Sequence, residues 1–327
     1  MLAVLRSRPR FPGARLPCAL MHHVEVKRRM AEADIAEVSD LLSAACANDG
    51  HRPLGEHKWL DLAEGGRAGF AGFVARDLSR GSALVGYAQL SRGSSSWAIE
   101  RVVHPSARSD DGAVAIDLVK AALREVAAQG GGHVHLWVPK PDHGDDEVAR
   151  QAGLVPGRAL YQMRVKLPAP AGSPSIITRA FEPGRDEERW LDVNNRAFAA
   201  HPEQGDWSLE TLRRREAEPW FDPEGFLVFE DKGLLIGSCW TKVHDDGAEP
   251  IGEIYVISVD GRYQGKGIGH QLLLAGLEIL AKRGLGTAML YVDSTNAPAM
   301  SLYRAVGFTI DHVDRAYVGD VLPDDAS

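Results

Sequence analysis

The sequence predicts an α/β fold made of two tandem domains, each a mixed, mostly antiparallel sheet flanked by helices. Three observations lead to this prediction. Short runs rich in β-branched and aromatic residues alternate with stretches of helical periodicity along the chain. A proline- and serine-rich stretch without apolar periodicity divides the chain near its middle. Matching segments recur on both sides of that stretch at a nearly constant spacing.

The order of the elements follows from the apolar periodicity and from glycine, proline and charge at the element ends. In the first half we predict helices over 31–47, 55–63, 112–128 and 145–152, and strands over 70–76, 83–90, 97–103, 133–138 and 160–167. In the second half we predict helices over 186–199, 209–217 and 267–283, and strands over 226–230, 234–243 and 253–259. A further strand and helix lead to Phe308.

The two halves match each other. Val103-His104-Pro105 corresponds to Val259-Asp260-Gly261 at an offset of 156, and Ala152-Gly153-Leu154 corresponds to Val306-Gly307-Phe308 at an offset of 154. Such a match indicates a tandem duplication. The predicted divisions are a disordered Arg/Pro-rich arm (1–21), a first domain (22–167), a linker (168–175), a second domain (176–320) and a tail (321–327).

A glycine-rich turn, Gln264-Gly265-Lys266-Gly267-Ile268-Gly269, joins a strand to a helix in the second domain. Alternating glycines let successive backbone N–H groups converge on one anion at the start of a helix. A dinucleotide-binding fingerprint needs a glycine where His270 stands, and a P-loop needs Gly-Lys where His270-Gln271 stands. Both of these common phosphate-binding motifs are therefore excluded.

The remaining pattern, Gln-x-x-Gly-x-Gly between a strand and a helix, resembles the pyrophosphate loop of the GCN5-related N-acetyltransferases. The segment NAPAMSLYRAVGF (296–308) resembles the second signature of that family, the helix beside the CoA thiol. Each signature alone is weak, since a glycine-rich turn before a helix is more often only a tight turn. The resemblance implies acetyl-CoA as co-substrate, held by Ile257, Ser258, Val259, Gln264, Gly265, Lys266, Gly267, Ile268, Gly269, His270, Asn296, Ala297, Pro298, Ala299, Met300 and Ser301.

Acetyl transfer to an amine requires a base, a group that stabilises the oxyanion, and an acid. Glu253 precedes the glycine-rich turn and is the candidate base, while Tyr303 is the candidate acid for the leaving thiolate. A backbone N–H near Ile257–Val259 can face the thioester oxygen. Without the flanking signatures, a strand glutamate is more often solvated and a helix tyrosine is more often a packing residue.

The two domains differ in chemistry. The first has Arg108-Ser109-Asp110-Asp111-Gly112-Ala113 in place of the glycine-rich turn, and carboxylates beside a diphosphate repel it. Trp97 stands where the second domain has Glu253, and Ala149 stands near the place of Tyr303. We therefore expect the first domain to be a scaffold, or at most a weak CoA binder, and the second to be catalytic.

Within the acetyltransferases, NNRAFAAHPEQGDW (194–207), WFDPEGF (220–226), WTKVH (240–244) and GEIYVISVD (252–260) resemble the mycothiol synthase family. That family acetylates the cysteinyl amine of Cys-GlcN-Ins, a pseudodisaccharide. The resemblance implies substrate contacts at Glu56, Glu203, Lys242, Glu253 and Tyr291. If Glu56 reaches the substrate, the two domains face one another. For Glu203 an alternative remains, namely that it caps a helix and does not bind substrate.

The composition narrows the remaining possibilities. A net charge of -8 argues against nucleic acid, no apolar run reaches the length of a membrane span, and the three dispersed cysteines form no metal-binding pair. We expect a cytoplasmic monomer that uses no metal. Two alternatives remain: an acetyltransferase for another amine, such as a protein N-terminus or an antibiotic, and a non-catalytic acetyl-CoA sensor.

Overall fold

The structure is a computed structural model that describes residues 22–93, 96–109, 111–199, 205, 207–245 and 249–324, excepting the side chains of residues 56 and 57. The predicted arm (1–21), the last residues of the predicted tail and Glu203 lie outside this part of the chain.

Contacts between residues divide the chain into two compact units. The first unit contains the described residues up to 137, residues 143–155 and residues 317–324. The second contains residues 138–142 and 156–316. Each predicted element is present in one of them, within a few residues of its predicted ends.

The elements of the first unit are β1 (His22–Lys27), α1 (Glu32–Asp49), α2 (Glu56–Ala63), β2 (Phe70–Asp77), β3 (Ala83–Arg92), β4 (Trp97–Val103), α3 (Ala113–Ala128), β5 (Gly132–Pro139) and α4 (His143–Gln151). Its strands are ordered β1-β2-β3-β4-β5. All neighbours are antiparallel except β4 and β5, which are parallel. Helix α1 begins where the carboxylate of Asp34 accepts a hydrogen bond from the N–H of Ala31, and it ends at Gly50, whose φ is +68°.

The elements of the second unit are β6 (Val155–Lys166), β7 (Arg179–Ala180), α5 (Glu187–Ala197), α6 (Leu209–Glu216), β8 (Phe226–Asp231), β9 (Leu234–His244), β10 (Ile251–Val259), α7 (Ile268–Lys282), β11 (Thr287–Asp293), α8 (Ala297–Val306) and β12 (Thr309–Val321). Six of its strands are ordered β6-β11-β10-β9-β8-β7. The pairs are antiparallel except for β10 and β11, which are parallel.

Strand β6 lies on the other side of the domain division from the one that the sequence predicted. The sequence divisions assigned residues up to 167 to the first domain, but β6 pairs with β11 over Leu160–Lys166 and belongs to the second unit. The end of β12, from Tyr317 onward, belongs in turn to the first unit. Strand pairing joins residues far apart in sequence, so the linker composition could not reveal this exchange.

Two apolar cores cover the two faces of the second unit's sheet. On one face, α7 packs with Ile254, and a side-chain Cβ at Gly276 would lie 2.5 Å from the sulfur of Cys239. This close approach explains the glycine inside the helix. On the other face, Trp190 of α5 packs against Trp240 of β9, and both are fully buried. A charged side chain on this sheet is therefore expected outside the two apolar cores, because burying a charge among apolar side chains is unfavourable.

Within the part of the chain that is described, no helix is long and apolar enough to cross a bilayer. The same residues contain no group of three or more His, Cys, Asp or Glu side chains placed to hold a metal ion.

Candidate active site

The parallel strands β10 and β11 separate early. Among the described residues they pair only at Gly252–Ala288 and Glu253–Met289, although β10 continues to Val259. On its other edge, β10 has a bulge at Tyr255, because Ile254 pairs with Thr241 and Val256 pairs with the next residue, Trp240. The result is an opening in the sheet directly after Glu253, with Ile257–Val259 along its edge.

The glycine-rich turn follows this opening. Asp260 is 1% exposed and accepts hydrogen bonds from the backbone and guanidinium of Arg262 and from Arg196, and these interactions lower the pKa of its carboxyl well below the usual range. A fixed Asp260 holds the start of the turn in place. Gly265 and Gly267 then have φ of +75° and +80°, and Gly267 is the N-cap of α7.

The turn has room for a ligand. A side-chain Cβ at Gly265 or Gly267 would meet no atom within 4 Å. The N–H groups of the first turn of α7 lack intrahelical partners, as at any helix start, so they suit an anion. Lys266 lies with its Nζ 4.8 Å from the ring centroid of Tyr263, beside the same turn. A diphosphate therefore fits this end of the helix.

The structure brings the predicted acetyl-CoA residues together from three elements. Ile257–Val259 end β10, Gln264–His270 form the turn and the first turn of α7, and Asn296–Ser301 begin α8. A Cβ at Gly269 would lie 3.7 Å from Val259 and 3.9 Å from Leu302 of α8, so the three elements meet there. The Oδ1 of Asn296 accepts a 3.1 Å hydrogen bond from the N–H of Ala299 and fixes the start of α8.

Glu253 is 8% exposed and lies at the opening between β10 and β11. Its Oε2 lies 2.7 Å from Nε2 of His244, a hydrogen bond in which the imidazole N–H donates to the carboxylate. His244 lies on β9, two residues from Lys242, and Lys242 is the cross-strand partner of Glu253. The bond fixes one carboxylate oxygen and leaves Oε1 for another partner.

Lys242 is held by aromatic rings. The residue is 6% exposed, and its Nζ lies 4.1 Å from the ring centroid of Trp220 and 5.5 Å from that of Tyr255. Cation–π contacts of this kind compensate part of the desolvation of an ammonium group. Tyr255 follows Ile254 on β10 and lies on the same face as Glu253, because side chains alternate along a strand, so its ring can contact the Lys242 ammonium.

Tyr291 lies on β11, two residues beyond the partner of Glu253, and therefore on the same face of the sheet. Its hydroxyl accepts a 2.8 Å hydrogen bond from Nε2 of Gln162, its cross-strand partner on β6. The residue is 42% exposed. Burial of the hydroxyl, together with the carboxylates of Asp314 and Glu253, raises the pKa of Tyr291 to about 12. Lys242, Glu253 and Tyr291 thus form one polar surface.

Tyr303 lies in the core on the other face of the sheet. It is 6% exposed and packs in the core beneath α7 and α8, with Phe308 5.9 Å away between ring centroids. Ile254 belongs to the same core, whereas its neighbour Glu253 points to the opposite face because side chains alternate along a strand. Burial, with Cys239 nearby, raises the pKa of the Tyr303 phenol above its usual value. The predicted base and acid therefore lie on opposite sides of the sheet.

Two predicted substrate residues remain without a described side chain. Glu56 is the first residue of α2, but its side chain is not described, and Glu203 lies outside the described residues. Conversely, sequence reasoning missed two residues of this surface: His244 was not among the predicted site residues, and Gln162 was assigned to the first domain. The register of β9 with β10 and of β6 with β11 would have identified both.

The described residues of the first unit differ from this site. Strands β4 and β5 stay paired over Trp97–Glu100, and β4 has no bulge against β3. Trp97, at the position matching Glu253, is 3% exposed and donates a 3.2 Å hydrogen bond to the carbonyl of Gly131. At the start of α3, the carboxylate of Asp111 accepts hydrogen bonds from Ser109 Oγ and, at 3.3 Å, from the N–H of Ala113. A side chain of the protein therefore takes the place available to an anion in the second unit.

A sheet that opens beside a glutamate, an open glycine turn at a helix start and a buried tyrosine on the other face of the sheet define an N-acetyltransferase of the GNAT class. Residues 188–308 match the acetyltransferase (GNAT) family, whose acetyltransferases use acetyl-CoA. Among solved structures, a GCN5-related N-acetyltransferase from Sphaerobacter thermophilus superposes with a TM-score of 0.67 at 22% identity, covering 92% of this chain and 97% of that one. A tandem GNAT protein from the clavulanic acid biosynthesis pathway gives a TM-score of 0.67 at 16% identity, covering 93% and 100%. Both structures support the fold.

The chain belongs, more specifically, to the mycothiol acetyltransferases. It is 45% identical to the mycothiol acetyltransferase of Thermobispora bispora over 90% of this chain and 99% of the relative. It is 42% identical to that of Acidimicrobium ferrooxidans over 82% of this chain and 88% of the relative. The predicted fold, enzyme class and family are therefore confirmed.

Proposed function

We propose that this chain transfers an acetyl group from acetyl-CoA to the cysteinyl amine of Cys-GlcN-Ins, 1D-myo-inositol 2-(L-cysteinylamino)-2-deoxy-α-D-glucopyranoside, giving mycothiol and CoA. The observation that carries the proposal is the early separation of β10 and β11 next to Glu253, beside the open turn at Gly265 and Gly267. The similarity of most of the chain to mycothiol acetyltransferases supports the choice of acceptor.

The residues around the turn fit acetyl-CoA, which supplies the acetyl group as a thioester. The N–H groups from Gly265 to His270 would hold the diphosphate, and Lys266 adds a positive charge at the same place. The start of α8, fixed by Asn296, would flank the arm of the coenzyme. The backbone of Ile257–Val259, which has no β11 partner, would donate to the thioester oxygen as negative charge develops.

Glu253 would act as the base. An ammonium group must lose a proton before it can attack a thioester, and a carboxylate with one oxygen held by His244 has its other oxygen available for that proton or for a bridging water. His244 is the more exposed of the two, with 22% of its side chain accessible against 11% for Glu253. The hydrogen bond therefore leads from the buried base toward solvent.

Tyr303 would supply the proton that the departing thiolate requires. Its raised pKa keeps the phenol protonated at neutral pH, and it lies on the face of the opening opposite Glu253. Base and acid on opposite sides of one opening suit a reaction in which the amine enters from one side and the thiol leaves from the other.

Lys242 and Tyr291 would bind the sugar and inositol of the acceptor, together with Glu56 and Glu203. A polyol offers many hydroxyl groups that both donate and accept hydrogen bonds. An ammonium held between aromatic rings and a phenol beside it provide fixed polar contacts for such a molecule.

We also propose the cytoplasm as the compartment, because Cys46 and Cys239 are free thiols.

The test is to mix the protein with acetyl-CoA and Cys-GlcN-Ins and to follow the release of the CoA thiol. The matched control is Glu253→Gln, which has the same shape without the charge. We expect kcat to fall by about 100-fold or more in this variant, while acetyl-CoA binding stays at the wild-type level. No release by folded wild-type protein would refute the proposed function, and wild-type turnover by the variant would remove Glu253 from the mechanism.

A further inference from the structure

A directed chain of hydrogen bonds connects β6 to Tyr291. Nε of Arg164 donates to Oε1 of Gln162 at 2.9 Å, and Nε2 of Gln162 donates to the hydroxyl of Tyr291 at 2.8 Å. Arg164 is itself paired with Asp311, whose Oδ2 lies 3.4 Å from the guanidinium. Gln162 is 5% exposed, so water does not compete freely for its amide.

The chemistry of the guanidinium fixes the direction of this chain. A guanidinium only donates hydrogen bonds, so the Gln162 atom that faces Arg164 must be the amide oxygen. The NH2 group of Gln162 therefore faces Tyr291, and the tyrosine oxygen must accept. The orientation of this amide follows from its partners, without reliance on how its oxygen and nitrogen were assigned.

The Tyr291 hydroxyl then has one hydrogen left to donate. The raised pKa of Tyr291 means that this hydrogen is present at neutral pH. Among the described residues, no acceptor lies within hydrogen-bond distance of it; the only bond to the hydroxyl is that from Gln162. The hydroxyl lies on the face of the sheet that carries Glu253 and Lys242, where the acceptor substrate is proposed to bind.

We propose that Gln162 and Arg164 are positioning residues that make Tyr291 a dedicated hydrogen-bond donor, so that the substrate must offer an acceptor oxygen, a carbonyl or a hydroxyl, at this point. The inference rests on the proposed function, because it concerns the substrate of that same site. It also assigns a specificity role to β6, a strand of the first sequence repeat. If a substrate had only an N–H group at this point, that N–H and the Tyr291 O–H would both be donors without an acceptor. Two unpaired donors are unfavourable in a half-buried site.

The test reverses the direction of the chain. In Gln162→Glu, one carboxylate oxygen would stay with Arg164 and the other would accept the Tyr291 hydrogen, which turns that hydrogen away from the substrate. We expect kcat/KM for Cys-GlcN-Ins to fall about 5- to 150-fold, the range for a hydrogen-bonding group left without a partner. The KM for acetyl-CoA should stay unchanged. In a Tyr291→Phe background, Gln162→Glu should lower kcat/KM by less than threefold, because this background has no hydroxyl whose direction the glutamate could change.

A second variant covers the case in which Gln162→Glu does not fold. Gln162→Met keeps the size of the side chain and offers no donor and only a weak acceptor, so the Tyr291 hydroxyl loses the donor that fixes its direction. Tyr291→Phe should therefore lower kcat/KM by at least threefold less in this background than in wild type. The inference is overturned if Gln162→Glu keeps wild-type kcat/KM, if its loss is the same with and without the Tyr291 hydroxyl, or if Tyr291→Phe costs the same beside Met as beside Gln. Absence of turnover in wild type refutes the proposed function, and the inference falls with it.

Discussion

The left-handed conformation of Gly267 gives the most direct test of the acetyl-CoA turn. Its φ is +80° and its ψ is -1°, and a Cβ there would meet no atom within 4 Å. An alanine would therefore be strained by its own backbone, without a steric clash. The penalty for an L-residue in this conformation is about 1–2 kcal/mol, which corresponds to about 5- to 30-fold in an equilibrium constant.

The backbone strain in Gly267→Ala can lower either the stability of the protein or its affinity for acetyl-CoA. If the turn keeps its conformation, the variant unfolds at a lower temperature; if the turn relaxes, acetyl-CoA must restore it and the Kd rises. We expect the two changes together to account for about 1–2 kcal/mol, measured by calorimetric binding and thermal unfolding. The matched control is Gly261→Ala in the preceding 3₁₀ turn, where a Cβ also meets no atom within 4 Å but φ lies outside the left-handed region. Equal behaviour of the two variants in both measurements would refute the reasoning.

Three further predictions concern the acid, the base and the first unit. Tyr303→Phe should lower kcat by about tenfold or more. Because burial raises the pKa of Tyr303, the wild-type protein should become less stable above about pH 10, where the tyrosine ionises first in the unfolded chain. In Tyr303→Phe, thermal unfolding measured over a series of pH values should show a smaller loss of stability above this pH. The same pH dependence in the variant as in wild type would contradict the prediction. His244→Phe removes the 2.7 Å bond to Glu253 and should lower kcat by about tenfold, with acetyl-CoA affinity unchanged by calorimetry; wild-type kcat would show that the bond is incidental. Because Asp111 binds the N–H of Ala113, titration calorimetry should give one acetyl-CoA per chain, and two equivalent sites would contradict this.

Local sequence predicted the parts of the site that are local in structure. The turn at Gly265 and Gly267, the helix that follows it and the cap at Asn296 each depend on residues within a few positions of one another. Their conformations therefore follow from nearby residues, and the structure has helices starting at the predicted turn and after Asn296. Glu253 and Tyr303 were proposed as base and acid because they lie beside or within these local motifs.

Strand register decided what the sequence left undetermined. His244 contacts Glu253 because β9 and β10 pair in one particular register, and Gln162 contacts Tyr291 because β6 lies beside β11. The bulge at Tyr255 shifts that register by one residue, which changes the face to which the following side chains point. Such a shift depends on packing between distant segments, and no single-strand pattern encodes it. For the same reason, the predicted boundary at Leu167 differs from the division by contacts, which places β6 in the second unit.

The place of β6 limits how this enzyme can be divided. A gene fragment beginning at the proline-rich stretch after Leu167 would encode the whole glycine-rich turn and both proposed catalytic side chains, yet it would omit the neighbour of β11. Its product would carry an unpaired strand edge open to self-association and a Tyr291 without its orienting amide. The first sequence repeat therefore supplies a strand next to the proposed site in the second unit.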